Sequence, residues 1–94
     1  MEAILLNHGG KHLIRPQGPM TAADAQELGD TIDFLLAEGG YCFTLDLRDV
    51  SRLDDLSASA IQKVAARLPP RGASFQIANA MESVRDALRN ASAK

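Results

Sequence analysis

Two amphipathic helical stretches, each lying between two short alternating runs, most constrain what this chain can become. In "TAADAQELGDTIDFLLAEGG", Ala25, Leu28, Ile32, Leu35 and Leu36 recur at helical spacing and so share one face. Thr21 and Asp24 stand at the reciprocal positions of a capping box, and Gly39–Gly40 supply the stop. In "ASAIQKVAARL" the same spacing gathers Ala58, Ile61, Val64, Ala65 and Leu68, and Pro69–Pro70 ends the run. Between them, "YCFTLDL" alternates, with Phe43, Leu45 and Leu47 on one side and Cys42, Thr44 and Asp46 on the other. "ASFQI" alternates likewise, with Phe75 and Ile77 inward.

Strands joined through helices lie parallel, with right-handed crossovers. Upstream, "AILL" and "HLIRP" read as two strands joined through "NHGGKH", a hairpin. Downstream, Asn79 and Glu82 are expected to cap a last helix carrying Val84, Leu88 and Ala91, and the tail "NASAK" to fray. The order is β-β-α-β-α-β-α. Doubly covered parallel strands read as continuous apolar runs, whereas these alternate. The expected fold is therefore α/β: a four-stranded, mixed, mostly parallel sheet with three helices mainly on one face. One domain accounts for all 94 residues.

Charge and composition narrow the function classes. The net charge is −2, with both signs dispersed, so no basic stripe invites nucleic acid. Apolar runs are too short to span a bilayer, so no membrane insertion is expected, and "MEAILLNHGGKH" lacks the features of a secretory signal. Cys42 is the only cysteine, which excludes an internal disulfide and suits a reducing, cytoplasmic setting. On a strand it reads as a small apolar residue. Met20 and Met81 are expected to pack against neighbouring elements. His8 and His12 flank a glycine turn and lack the further partners a metal site needs. "NHGG" leads into a strand, which a phosphate loop does not. No catalytic residues, metal ligands or cofactor fingerprint are assigned.

The distinctive stretch is "LDLRDVSRLDDLSASAI", Leu45 to Ile61. Asp54 suits the N-cap of the second helix and Asp55 its first turn, where the helix dipole favours negative charge. Capping alone accounts for both. The stretch also follows the C-terminal end of a parallel strand, the edge where α/β folds commonly bind ligands and partners. Adjacent carboxylates diverge as a helix starts, so Asp46, Asp54 and Asp55 make a poor metal cluster.

This stretch resembles the signature of STAS domains, the anti-sigma-factor-antagonist family. The resemblance runs through Leu45-Asp46-Leu47, Val50 and Leu53, and places Asp54 on the family's aspartate. "LIRPQGPMTAADAQEL" and "GASFQIANAMESVRDAL" resemble flanking parts of the family. The resemblance implies a helix-backed sheet and a non-enzymatic bacterial regulatory module that docks a partner. That partner would be an anti-sigma factor or a histidine-kinase-like protein. An alternative is an accessory subunit of an ABC-type lipid transport complex; a carboxylate-dependent enzyme is a remote third.

The family's phosphorylatable Ser or Thr falls on Asp55, which takes no stable phosphate from a Ser/Thr kinase. Leu56 and Ser57 replace the small residue and glycine that usually follow. The region then reads as a switch fixed near its charged state. Ser57 and Ser59 are alternative candidate phosphoacceptors, and a domain that binds its partner unconditionally is a third possibility. Candidate partner contacts are Asp54, Asp55, Ser57, Ser59, Gln62 and Lys63.

Overall fold

The computed structural model describes residues 1–92. Its elements are β1 (Ala3–His8), β2 (Lys11–Pro16), α1 (Ala22–Ala37), β3 (Cys42–Asp46), α2 (Asp55–Arg67), a short 3-10 turn (Pro69–Arg71), β4 (Ser74–Ala78) and α3 (Glu82–Ser92). The four strands lie in chain order, with β1 and β2 antiparallel and the β2–β3 and β3–β4 pairs parallel. This is the mixed, mostly parallel sheet expected from the sequence.

The first hairpin is longer than the apolar runs suggest. Gly9 and Gly10 have φ of 57° and 86°, two consecutive left-handed residues that make a two-residue turn. Pairing therefore continues to His8↔Lys11, and "NHGGKH" is mostly strand. A side chain at Gly10 would also meet the Tyr41 ring, its Cβ falling 2.8 Å from Cε1.

Register decides which face is dry. Ile14, Leu45 and Ile77 align across the sheet, as do His12, Phe43 and Phe75. Ile14, Phe43 and Leu45 join Leu28 and Ile32 of α1, Ile61 and Val64 of α2, and Val84 and Leu88 of α3 in one buried cluster. All three helices thus cover the same face. Each such side chain contributes about 1.5–3 kcal/mol by leaving water. The aligned row Leu6, Leu13, Thr44 and Gln76 faces the other way, uncovered, with Gln76 Nε2 donating to Thr44 Oγ1 at 3.1 Å.

Local signals set the helix ends. Thr21 Oγ1 accepts the Asp24 amide at 3.2 Å while Asp24 Oδ2 accepts the Thr21 amide at 3.0 Å, the reciprocal cap expected from the sequence. Gly29 is buried in the α1–α2 seam, where Arg67 Nη2 reaches Asp33 Oδ1 at 2.9 Å.

Two expectations at the C-terminal end are corrected. Asn79 does not cap α3: it sits three residues upstream at φ 58°, a left-handed conformation that asparagine tolerates, and Met81 precedes the helix. Met81 is 40% exposed, unlike Met20, which is in the core. Of the tail expected to fray, Asn90–Ser92 is helical, and residues 93–94 lie outside the described residues.

Candidate functional site

The rim of interest lies beyond the C-terminal end of β3 and is tied down residue by residue. Asp46, placed on the outer side of β3 by alternation, is 2% exposed. Its Oδ1 accepts the Arg48 main-chain amide at 3.1 Å, and its Oδ2 meets Arg48 Nη2 at 2.9 Å. Burial pushes this carboxyl up. Arg48, through side chain and amide, and the Asn79 side chain outweigh that and hold it below the usual carboxylate range. Asp46 is thus a structural clamp on the turn that leaves β3.

The next segment is stitched to the end of β2. Gly18 N–H donates to Asp49 O at 2.9 Å, Met20 N–H donates to Arg52 O at 3.0 Å, and Met20 and Leu53 form an isolated parallel bridge. Arg15 Nε reaches Asp49 Oδ2 at 2.6 Å. Val50 and Leu53 turn into the core and so fix where α2 begins.

Asp54 is the N-cap of α2, in extended conformation, with Oδ1 accepting the Ser57 amide at 2.7 Å. Hydrogen bonding from Ser57 holds the Asp54 carboxyl below the usual range, against a smaller opposing push from burial. Asp55 opens the helix and is exposed, one residue past the cap, where the dipole favours its charge. Asp46, Asp54 and Asp55 are therefore engaged separately. Among the described residues no three His, Cys, Asp or Glu side chains gather as a metal site.

The structure corrects one site residue, Ser57, and shows a second, Gln62, engaged internally. Ser57 is fully buried and its hydroxyl lies 3.3 Å from the Met20 carbonyl oxygen, to which it donates. It is neither an accessible phosphoacceptor nor a surface contact, because the polar helix start folds under the Met20 segment. Gln62 is half-buried and spends its amide within the molecule, Nε2 donating to Leu88 O of α3 at 3.0 Å. Ser59 is half-buried and Lys63 exposed. Both line a groove of about 360 Å³ between α1 and α2, together with Leu56, Gln26, Asp30 and Arg67.

Leu56 is the residue that sequence reasoning missed. It is 71% exposed, the most exposed large apolar side chain among the described residues, and stands directly after Asp55. The signal was its phase. Leu56 falls one turn before Ala60 and two before Lys63, off the Ala58–Ile61–Val64 face.

Comparison with known proteins agrees with this architecture. The STAS domain family profile matches residues 4–94, and the chain belongs to that family. The anti-sigma factor antagonist SpoIIAA in its unphosphorylated form superposes with a TM-score of 0.80 at 15% identity, over 97% of this chain and 81% of that one. An antisigma-factor antagonist STAS domain from Rhodobacter sphaeroides gives 0.67 at 17% identity, over 87% and 92%. A crystal structure of Mglu gives 0.70 at 23% identity over 79% of this chain, which spans only 18% of that longer protein. No curated protein matches the sequence. No helix among the described residues is long and apolar enough to cross a membrane.

Proposed function

We propose that this STAS domain is a non-enzymatic regulatory binding module of the anti-sigma-factor-antagonist type, working in the cytoplasm. It docks a protein partner through the segment 50–59 and the exposed side of α2. The observation that carries the reading is the adjacency of Asp55 and Leu56. A permanent charge and a bare apolar side chain sit side by side on a rim whose backbone is held by Asp54, Ser57 and Met20. An apolar anchor beside an orienting charge is the arrangement that protein docking uses. Asp55 stands where the family's phosphorylatable residue falls, so the rim is fixed near its charged state. Its charge of about −1 is smaller than the roughly −1.5 to −2 of a phosphoserine. Of the other candidates, Ser59 and Lys63 extend the surface along the α1–α2 groove.

Capture of partners from the source cell by crosslinking, with Leu56→Glu as the control bait, tests the reading. An anti-sigma factor or histidine-kinase-like protein retained by wild type and lost by Leu56→Glu supports it. An ABC transporter ATPase retained in the same way would make the chain an accessory transport subunit instead. A capture pattern indifferent to Leu56 would remove the rim from the docking surface.

A further inference from the structure

The edge strand β1 carries an unused pairing surface. Gln17 N–H donates to Glu2 O at 3.0 Å, extending the β1–β2 ladder beyond Ala3↔Pro16. In an antiparallel pair the residues that exchange hydrogen bonds alternate. Glu2, Ile4, Leu6 and His8 therefore direct their backbone groups to β2, and Ala3, Leu5 and Asn7 direct theirs outward. Native sheets blunt such edges with charge, proline or a bulge. Here Ala3 to Asn7 has none of these, and Ile4, Leu5 and Leu6 are 39%, 58% and 59% exposed. The opposite edge differs: Phe75 and Ile77 of β4 are half-buried, and its exposed side chains are Ser74 and Gln76.

We propose that two copies of this chain associate through β1, antiparallel about a two-fold axis at Leu5, so that their two four-stranded sheets become one continuous sheet. The register follows from the outward groups. Centring on Leu5 sets Leu5 opposite Leu5 of the second copy and Ala3 opposite Asn7, so every outward residue meets an outward residue. The same register sets Ile4 opposite Leu6 on the uncovered face, beside Leu13, the neighbour of Leu6 on β2. It also sets Glu2 opposite His8 of the second copy, whose β2 neighbour is Lys11. Each end of the interface then joins an acidic side chain to a basic corner. Centring on Ala3 or Asn7 shortens the ladder and loses these matches. Such an interface is self-complementary, as a two-fold contact requires. It leaves Asp55 and Leu56 free, since β2 separates β1 from β3.

Sedimentation velocity over a dilution series tests this on the whole chain. Wild type is expected to reach twice the 10.1 kDa chain mass and to dissociate on dilution. Leu5→Pro removes one outward N–H without touching the β1–β2 ladder, and is expected to be monomeric with an unchanged circular dichroism spectrum. Glu2→Lys is expected to weaken the dimer about fivefold or more, and adding Lys11→Glu to restore it. A wild-type chain that stays monomeric up to about 1 mM overturns the proposal. So does a dimer that survives Leu5→Pro, which would use another surface such as β4, or a charge swap that fails to rescue.

Discussion

The Ser57 hydroxyl reaches the main-chain carbonyl of Met20 at 3.3 Å, across 37 residues of sequence. This contact, with the Asp54 carboxylate on the Ser57 amide at 2.7 Å, decides how the start of α2 is presented. One residue is consumed by the interior while its neighbours Asp55 and Leu56 are left outside.

Ser57→Ala and Ser57→Asp should therefore diverge. The alanine loses one hydrogen bond, about 0.5–1.5 kcal/mol, and leaves the Met20 carbonyl short of a partner. The aspartate places a charge where no water reaches and is expected to abolish cooperative unfolding at neutral pH. Thermal melts followed by circular dichroism check both. A Ser57→Asp variant as stable as wild type would mean that this helix start is open.

Acid should weaken the fold in a defined direction. The carboxyls of Asp24, Asp46 and Asp54 are all held below their ordinary range, by the Thr21 amide and hydroxyl, by Arg48 with Asn79 against opposing burial, and by Ser57. A carboxylate with a depressed folded pKa binds its proton more readily when unfolded. Its contribution is thus present above the unfolded value of about 3.9 and is lost as pH falls through the lower folded value. Urea midpoints are expected to be flat from about pH 7 to about 5 and to fall below about 4. In Asp46→Asn the acid loss should be shallower, with a lower plateau at neutral pH.

Gly10 and Gly40 should resist substitution for different reasons. Gly10→Ala must hold φ near 86° and displace the Tyr41 ring. Gly40→Ala would place its Cβ 2.9 Å from the Leu35 carbonyl oxygen, which cannot move without disturbing the end of α1. Each is expected to lower stability by about 1–3 kcal/mol in urea titrations. Gly18→Ala meets no atom within 4 Å and faces only its φ of 86°, so it should be the mildest of the three.

How far the sequence reveals this structure depends on the range of each interaction. The Thr21–Asp24 cap, the Asp54 cap and the alternation of Phe43, Leu45 and Leu47 are local, and each stands where its own neighbours place it. In the sequence Ser57 reads as a free hydroxyl because its partner, Met20, arrives through the β2–α1 connection. Gln62 reads as a surface residue because Leu88 lies on a different helix. Asp46 alternates outward, yet it is buried, engaged by the chain reversal at Arg48 and by Asn79 from beyond β4. Leu56 was legible from its helical phase, but the charges beside it are the stronger signal in the bare sequence.

The central claim is that the exposed carboxylate of Asp55 sets how partners dock at this rim. The direct measurement is the affinity of a purified partner captured by the wild-type chain, compared by titration calorimetry among wild type, Asp55→Ala and Asp55→Ser. Both substitutions are expected to keep the fold and to change the dissociation constant about tenfold, in the same direction, with phosphorylated Asp55→Ser returning toward wild type. Equal affinities for all three proteins would contradict the claim and leave Asp55 as part of a helix cap alone.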